Sequence, residues 1–428
     1  MIGIVFLCLV VLIVLAVPIG VALGVLGLIT DRLFSSVPMT EAMGQIAWNG
    51  SQKFELVAVP LFVLMGELFL RSGLARKMYG ALDEWLSWLP GGLMHSNIGA
   101  CAMFAATSGS SVATAASIGT VALPEMHSHK YNERLFLGSL AAGGTLGILI
   151  PPSINMIVYG VLTDTSIPQL YLAGFLPGLV LTLLFMATIV VACRLVPRWG
   201  GVPRRASWRA RFTGLRHLLP PLALFVVVVG SIYMGFATPT EAAAIGVGAT
   251  AIIAAVSGRL SLAMLREAFI GAMRTTSMVM FIVIGALFLN FILVATGGMA
   301  SITGFVEQSG LSAGWTMVLI VGLYIVLGCF MDALAMVITT VPIITPIVVK
   351  LGYDPVWFGI IIVLVTETSL ITPPIGVNLF VIQSIRGRGP ISDVIVGSLP
   401  FVITMMLMIV IIFTWPQLAL FLPTTFYR

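Results

Sequence analysis

Long apolar stretches separated by short polar connections make up most of the chain. A run of about 20 apolar residues is the length that an α-helix needs to cross the hydrocarbon core of a bilayer. The pattern therefore predicts an all-α polytopic membrane protein. Its first run lacks the basic start of a cleaved signal peptide, so we expect it to be a retained span. The predicted spans lie near residues 1–28, 54–70, 135–160, 168–193, 218–236, 239–257, 275–295, 315–330, 355–385 and 395–422.

Three other segments have mixed patterns. Segments 97–124 and 330–349 are apolar but rich in Gly, Ser, Thr and Pro, which is unusual for a plain span. Segment 71–92 combines charges with Leu, Met, Tyr and Trp at helical spacing. It is predicted to be a helix, which either lies in the membrane interface with Trp at headgroup level or simply connects two spans.

Composition and the placement of charge agree with a membrane location. Hydrophobic residues make up 59% of the 428 residues and charged residues 9%, with a mean hydropathy of +1.12. A soluble domain carries about 25% charged residues. The net charge is +5, and seven arginines without any acidic residue lie from Arg194 to Arg216. Because Lys and Arg are retained on the cytoplasmic side, this loop is predicted to be cytoplasmic, and no nucleic-acid partner is expected.

The two halves of the chain repeat the same landmarks. Ile-Pro-Pro at 150–152 matches Thr-Pro-Pro at 372–374 at an offset of 222 residues, and GFLP at 174–177 matches GSLP at 397–400 at an offset of 223. Repeated halves with paired helix breakers are typical of secondary transporters. The expected divisions are an N-terminal span and connection (1–53), a first repeat (54–193), a basic cytoplasmic loop (194–217), linking spans (218–274) and a second repeat (275–422).

The double prolines predict a broken helix in each repeat. Each proline removes one backbone N–H and clashes with the preceding helical turn. Backbone groups freed at 150–153 and 372–376 cannot face hydrocarbon, which offers them no partner. They must face protein, water or an ion, and transporters of this kind place their binding sites where such breaks meet.

Small oxygen-bearing residues precede each break. TSGSSVATAASIG at 107–119 and GCFMDALAMVITT at 328–340 offer hydroxyl and backbone oxygens, which suit a hard monovalent cation such as Na⁺. Small residues also allow membrane helices to pack closely, so packing is the alternative.

Two carboxylates in apolar surroundings are candidates for function. Asp332 lies in a stretch, 275–349, without any Lys or Arg. An intramembrane carboxylate is costly, and its role is expected to be that of an ion ligand, a proton carrier or a polar contact that holds a hairpin tip. Glu367, between two threonines, is predicted to take part in a cation site. Glu241, after Pro239, is predicted instead to cap a helix.

These motifs together resemble the large membrane subunit of tripartite ATP-independent periplasmic (TRAP) transporters. The similar stretches are TSGSSVATAASIG, GTLGILIPPSI, FATPTEAAAIG, FMDALAM, LGYDPVWFGI and LITPPIGVNLFVI, which lie between about Pro60 and Pro400. The resemblance implies uptake of an organic acid, often a carboxylate, across the bacterial inner membrane, driven by Na⁺. It also implies a separate periplasmic substrate-binding protein and a separate small four-helix membrane subunit as partners.

The resemblance further implies an elevator-type fold. Two inverted repeats, each with a re-entrant helical hairpin and a broken helix, would move a transport domain against a scaffold domain. The hairpin tips would be 108–114 and 328–333, and the broken helices 144–153 and 366–376, with two or more Na⁺ ions bound at these pairs. The Na⁺ candidates are Ser108, Gly109, Ser110, Ser111, Thr114, Gly144, Ile148, Pro151, Gly328, Asp332, Thr366, Glu367, Thr368 and Pro373. The substrate candidates are Ser110, Ser153, Asn155, Asp332, Thr372 and Asn378.

Two positions depart from the family pattern close to the expected site. A second proline is expected near Asn155, where this chain has SINMIVYG, and Ser369 stands where glycine is usual. Both changes are expected to affect the substrate or ion preference rather than the fold.

Three other functions compete with this interpretation. A Na⁺- or H⁺-coupled anion symporter that needs no binding protein has a similar repeat. An intramembrane enzyme needs an acidic dyad or a metal set, and Asp332 has no second Asp in a suitable motif. A channel usually relies on oligomeric symmetry, which the internal repeat disfavours.

Overall fold

The computed structural model describes residues 1–35, 38–128, 131–201, 207–308 and 310–427, which form helices and connecting turns without a β-strand. The N-terminal part contains α1 (Ile2–Val14), α2 (Ile19–Phe34), α3 (Met43–Ser51), α4 (Ala58–Arg71) and α5 (Leu74–Leu86). The first repeat continues with α6 (Leu93–Ser108), α7 (Ser111–Ser128), α8 (Glu133–Leu149), α9 (Ile154–Thr163) and α10 (Ile167–Leu195). The linking helices are α11 (Trp208–Tyr233), α12 (Pro239–Val256), α13 (Leu262–Ala295) and α14 (Gly298–Gln308). The second repeat contains α15 (Ala313–Gly328), α16 (Ala333–Lys350), α17 (Pro355–Ser369), α18 (Val377–Arg386) and α19 (Ile391–Thr414), and α20 (Gln417–Phe426) follows it.

The helices fit a membrane protein. Within the described residues, six helices are long and apolar enough to cross a bilayer, namely α10, α11, α12, α13, α16 and α19. The bent pair α8 and α9 makes a seventh candidate span. The protein is therefore a multi-pass membrane protein, as the sequence predicts.

The N-terminal span expected over 1–28 is wrong in detail, because two helices occupy that region. Helix α1 ends at Val14 and α2 begins at Ile19, with Ala16 at a positive φ of 55° between them. Pro18 immediately precedes α2. It lacks an N–H and disfavours a helical conformation at the residue before it, so it divides the apolar run.

Two other local predictions are confirmed. Segment 71–92 contains helix α5, which packs against α6 and α11. Glu241 completes a capping box at the start of α12: the Thr238 hydroxyl accepts from the Glu241 backbone N–H at 3.3 Å, and the Glu241 carboxylate accepts from the Thr238 N–H at 2.8 Å. This arrangement satisfies two backbone donors at the helix start.

The two repeats are matched in space as well as in sequence. Helices α6 to α10 correspond in order to α15 to α19, and the starts of α7 and α8 (111 and 133) each lie 222 residues before those of α16 and α17 (333 and 355). The contacts are exchanged between repeats: α7 packs against α18 while α16 packs against α9, and α8 packs against α19 while α17 packs against α10. Such exchange is what a two-fold relation between the repeats produces.

The number of crossings makes the repeats inverted. The pair α8–α9 and the helices α10, α11, α12 and α13 make five crossings between the first hairpin, α6–α7, and the second, α15–α16. An odd number places the two hairpins on opposite sides of the membrane. The arginine-rich loop after α10 marks the cytoplasmic side, so the first hairpin enters from the cytoplasm and the second from the periplasm.

The second hairpin does not cross the membrane, although α16 is apolar enough to do so. Its tip lies against the interruption of α17: a Cβ added at Gly328 would lie 2.1 Å from the Cβ of Ser369. The chain therefore turns back beside the break between α17 and α18. The first hairpin turns in the same way beside the break between α8 and α9, where a Cβ at Gly109 would lie 2.9 Å from the carbonyl oxygen of Pro152.

Helices α8 and α19 cross at two glycines. A Cβ added at Gly138 would lie 1.9 Å from the carbonyl oxygen of Gly397, and one added at Gly397 would lie 1.8 Å from that of Arg134. Both distances are far inside van der Waals contact, and the atoms that would be met are backbone atoms that cannot move aside. The crossing that ties the start of α8 to α19 therefore requires glycine at both positions.

We expect Gly397→Ala to lower the stability of the protein, by about 1–3 kcal/mol, because the added methyl group overpacks this crossing. The thermal unfolding midpoint of the purified protein in detergent measures the effect. Gly248→Ala on α12 is the matched control, since nothing lies within 4 Å of its added Cβ. A midpoint for Gly397→Ala equal to that of the control would contradict the close crossing.

Candidate functional site

The tip of the first hairpin gathers oxygen atoms. Gly109 adopts a left-handed conformation, with φ of 60°, that ends α6 and reverses the chain. The Ser108 and Thr114 hydroxyls lie 2.9 Å apart, and Thr114 donates to the Ser110 carbonyl at 2.7 Å. Ser108 and Thr114 are buried, and Ser110 is half-buried. The tip is thus a compact group of hydroxyl and carbonyl oxygens, and residues 107–119 include no Lys or Arg.

The first break lies directly against this tip. In a continuous helix, the carbonyls of Gly147 and Ile148 would accept from residues 151 and 152, which are prolines without an N–H. A Cβ at Gly147 would lie 2.6 Å from the Ser110 carbonyl oxygen, so this glycine lets the tip approach the freed carbonyls. Hydroxyl and carbonyl oxygens of this kind are the ligands that hard cations prefer.

The second tip is built differently around Asp332. Its carboxylate accepts from the Ala335 N–H at 3.3 Å and caps the start of α16. The residue is exposed, whereas its counterpart at the 222 offset, Ser110, is half-buried. Of the roles expected for Asp332, a polar contact that holds the hairpin tip has a hydrogen bond to support it, and an accessible carboxylate remains available to a cation.

The second break packs against the second tip through Ser369. The Ser369 side chain lies against Gly328, which has no side chain, and its hydroxyl donates to the Thr366 carbonyl at 2.6 Å. The serine that departs from the family pattern therefore fits because the facing residue is glycine. Pro373 contributes its carbonyl oxygen 3.7 Å from the Cys329 sulfur.

The remaining hydroxyls of the second break are tied to their own helix. Thr366 donates to Val363, Thr368 to Leu364 and Thr372 to Thr368, at 2.9, 2.7 and 2.7 Å. Each hydroxyl oxygen keeps lone pairs that these donated bonds do not use. A hydroxyl that has donated its proton to a carbonyl is well placed to accept a cation, since its oxygen is the part that remains free.

Glu367, in the second repeat, accepts hydrogen bonds from Ser111 in the first repeat. The Ser111 hydroxyl lies 2.6 and 2.7 Å from the two carboxylate oxygens of Glu367, and both residues are fully buried. The sequence placed Glu367 with the second break, but the structure links it to the first hairpin tip. The counterparts at the 222 offset are Thr145 and Ala333, which cannot form such a bond, so this link occurs once and not twice.

Two buried asparagines follow the breaks. Asn155 and Asn378 each occupy the second position of their short helix, α9 or α18. Asn378 donates to the Ala141 carbonyl at 3.2 Å, and Gly144 leaves it room, since a Cβ there would lie 2.9 Å from the Asn378 amide nitrogen.

Asn155 lacks the equivalent partner. The counterparts of Ala141 and Gly144 are Val363 and Thr366, and the Thr366 hydroxyl already donates to the Val363 carbonyl. Both polar atoms of the Asn155 amide are buried without a protein partner. Leaving a buried polar group unpaired is costly, so this amide is arranged for a ligand or water. Ser153, the last substrate candidate, caps α9 by accepting from the Met156 N–H at 3.4 Å.

The sequence did not single out Gly66 of α4. A Cβ at this position would lie 3.1 Å from the Ser108 Cα and 3.2 Å from the Ser108 carbonyl oxygen. The tip of the first hairpin thus rests on the backbone of α4. The available signal was a glycine within an otherwise apolar span, which by itself is common in membrane helices.

Comparison with known proteins shows the family of this chain. The profile of the family described as "Tripartite ATP-independent periplasmic transporter, DctM component" matches residues 6–418. The chain is 36% identical over 404 residues, 94% of its length, to the C4-dicarboxylate TRAP transporter large permease protein DctM of Pseudomonas aeruginosa, of which it covers 93%. This chain belongs to the DctM family of TRAP transporters.

Other TRAP permeases are similar over nearly the whole chain. The ectoine/5-hydroxyectoine large permease protein UehC of Ruegeria pomeroyi is 32% identical, with 98% of this chain and 97% of that protein covered. The isethionate permease protein DctMQ of Oleidesulfovibrio alaskensis is 33% identical over 95% of this chain but only 64% of its own length. The relatives are transport permeases, so this TRAP permease is not an enzyme.

One solved structure has a similar fold. The YdaH transporter of Alcanivorax borkumensis, described as having an unusual topology, aligns with a TM-score of 0.59 over 94% of this chain and 99% of that one, at 15% identity. At this level of identity the similarity concerns the fold alone.

We expect Ser111→Ala to destabilise the TRAP permease by about 1–3 kcal/mol, because it leaves the buried Glu367 carboxyl without its hydrogen-bond partner. The thermal unfolding midpoint at neutral pH measures the loss. Ser117→Ala is the matched control on the same helix, since its hydroxyl only donates to the Ala113 carbonyl within α7. Equal midpoints for the two variants would show that the Ser111–Glu367 bond does not hold the repeats together.

Proposed function

We propose that this TRAP permease is the membrane subunit of a Na⁺-coupled secondary transporter that imports an organic acid delivered by a periplasmic binding protein. The observation that carries the proposal is the pairing of each re-entrant hairpin tip with a broken helix, where buried hydroxyl and carbonyl oxygens meet. The family supplies the transport function, and the oxygen-rich pairs support the choice of a hard cation as its driving ion.

The first cation site is proposed at the first tip and the first break. Its ligands would be the Ser108 and Thr114 hydroxyls with the Ser110 and Ile148 carbonyls. These groups carry no net charge, which suits a monovalent ion that must also be released. The proximity of Gly109 to the Pro152 carbonyl supports a site of this composition.

The second cation site is proposed at the second tip and the second break. Its ligands would be drawn from Asp332 and from the Thr366, Thr368 and Thr372 oxygens. Asp332 has a formal negative charge and its counterpart Ser110 has none. The second site would therefore have the higher affinity for a cation and would be occupied at lower Na⁺ concentrations. The two sites would therefore fill in order rather than together.

The substrate is proposed to bind between the two breaks. Helices α9 and α18 both begin there, and the positive ends of their dipoles favour a carboxylate. The unpartnered Asn155 amide offers both a donor and an acceptor to a substrate. Relatives are named for C4-dicarboxylate, isethionate and ectoine. Permeases of this family therefore differ in the substrate for which they are named.

The partners are proposed to be a periplasmic binding protein and a small membrane subunit. The family name itself describes a tripartite, periplasmic system. The DctMQ relative is longer than this chain, which covers 64% of its length. A small four-helix membrane subunit is proposed as the further membrane component of this tripartite system.

Transport is proposed to follow an elevator mechanism. The hairpins and broken helices pack on one another, and α2, α4, α11, α12 and α13 form a second group, with contacts of α2 with α13, α4 with α12 and α13, and α11 with α12. The two groups meet where α4 and α11 contact α6 and where α13 and α2 contact α16. At Gly66 of α4, the lack of a side chain lets the Ser108 backbone of the first tip approach closely, and a domain boundary is proposed at this contact. Cation and substrate binding would then be coupled, each raising the affinity for the other by the same factor.

Uptake into proteoliposomes tests the proposal. We expect labelled organic acid to accumulate when this chain, its small subunit and its binding protein are present and Na⁺ is higher outside. Accumulation should disappear when choline replaces Na⁺ or when the binding protein is omitted. Uptake driven by a pH gradient without Na⁺, or uptake that needs no binding protein, would instead support the simpler anion symporter.

Asp332→Asn serves as the variant in this assay. Asn is as good a helix cap as Asp, so α16 keeps its start while the charge is removed. We expect uptake at low Na⁺ to fall and to recover partly at high Na⁺. Asp354→Asn is the matched control, because Asp354 also caps a helix, α17, but is not one of the candidate cation ligands. Unchanged uptake by Asp332→Asn at every Na⁺ concentration would remove the charge from the mechanism.

A further inference from the structure

An apolar crevice of about 320 Å³ separates the second hairpin from the N-terminal helices. Its walls come from α1, α2 and α13 on one side and from α15 and α16 on the other. The side chains that define it include Phe6, Leu26, Leu293, Ile320, Leu327 and Ile344. Its lining includes none of the candidate cation or substrate residues.

The crevice offers nothing to a polar ligand. The hydroxyls of Thr339 and Thr340, which border it, donate to the Ala335 and Met336 carbonyls within α16, both at 2.7 Å. Every other side chain at the wall except that of Thr316 is a hydrocarbon, and Thr316 donates to the Ser312 carbonyl. Water would find no hydrogen-bond partner here, so the natural content is apolar.

The mouth of the crevice continues into the lipid-facing surface. Phe6 on α1 is 52% exposed and Leu323 on α15 is 39% exposed, and both also line the crevice. Next to them on α15, Leu319 and Val326 are more than half exposed and face outward. In a multi-pass membrane protein these side chains contact lipid tails, so hydrocarbon chains are the molecules at the entrance.

The dimensions select a single hydrocarbon chain. The wall on α15 runs from Thr316 to Leu327, which is eleven residue-to-residue steps, or about 16 Å at 1.5 Å per step. That length is close to one leaflet, half of a hydrocarbon core of about 30 Å. Dividing 320 Å³ by this length leaves a mean cross-section of about 20 Å², whereas a helix about 10–12 Å in diameter has a cross-section of about 80–110 Å². The space is too narrow for a helix of a partner subunit.

We propose that this crevice binds one acyl chain of a phospholipid from the periplasmic leaflet. The second hairpin enters from the periplasmic side, so its crevice lies in that leaflet. The chain packs between the hairpin arm α16, which carries Asp332 at its start, and the helices α2 and α13. An acyl chain fills this gap without fixed bonds and so lets the hairpin move against its neighbours.

Photolabelling in nanodiscs tests the proposal. The full-length chain is placed in phosphatidylethanolamine that carries a diazirine midway along one acyl chain, irradiated, digested and analysed by mass spectrometry. We expect adducts on α16 between Thr340 and Ile347, where Thr340, Ile344 and Ile347 are buried from bulk lipid. Labelling should exceed that of α8, a helix buried throughout most of its length, by severalfold.

Two substitutions that fill the crevice provide the specific test. Ile320→Trp places a larger side chain inside the crevice, and Leu323→Trp places one at its mouth. Because Leu323 is partly exposed, the second variant can accommodate tryptophan and remains informative if Ile320→Trp does not fold. Both should reduce α16 labelling severalfold, whereas the lipid-facing neighbour Leu319→Trp should not. Labelling of α16 no greater than that of α8, or unchanged by both filling variants, would overturn the proposal. Loss of labelling when the small subunit is added would also overturn it, because the occupant would then be that subunit.

Discussion

The backbone groups freed inside the membrane are the constraint on which the rest of the structure depends. Each Pro-Pro pair interrupts a span, and the carbonyls before it lose their helical partners where lipid cannot replace them. The first break is therefore enclosed by a hairpin tip, by Gly147 and by the neighbouring helices, and residues 150–154 are buried. At the second break, the Leu370 carbonyl accepts from the Asn378 N–H at 3.0 Å, across the interruption. Re-entrant hairpins, close glycine contacts and inverted repeats all serve to surround these interruptions with protein.

The two repeats share a backbone but not a chemistry. Ser110 is matched by Asp332, Thr145 by Glu367 and Gly144 by Thr366, so the second repeat contributes both of the carboxylates near the breaks. This difference has direct structural results. Glu367 reaches across to Ser111 with no symmetric equivalent, and Thr366 takes the carbonyl that would otherwise bind Asn155. A symmetric scaffold therefore holds an asymmetric set of side chains at the two breaks, and the proposal of two cation sites with different affinities rests on this difference.

Sequence reasoning predicted the architecture well because membrane helices have a strong pattern. Most of the spans, the repeat offset, the broken helices and the Glu241 cap follow from apolar length and proline placement, whereas the hairpins were expected from the family resemblance. The predicted span at 315–330 is wrong, because α15 is an arm of the second hairpin. The split of the N-terminal span at Pro18 was missed, since one proline inside a long apolar run is often tolerated. The bond between Ser111 and Glu367 was also missed, because it joins residues 256 positions apart and depends on how the repeats dock. Likewise, no local pattern shows that Gly66 supports the first hairpin tip or that Asn155 lacks a partner.

The most direct test of the account asks whether the tip and break pairs bind Na⁺ at all. The measurement is the thermal unfolding midpoint of the purified chain in NaCl, KCl and choline chloride at equal ionic strength. A ligand that binds only the folded state stabilises it by about 2.7 kcal/mol at one hundred times its dissociation constant. We expect Na⁺, but not K⁺ or choline, to raise the midpoint in a saturable way. Thr114→Val removes one hydroxyl at the first tip, and we expect it to weaken this effect. Identical midpoints in the three salts would contradict it.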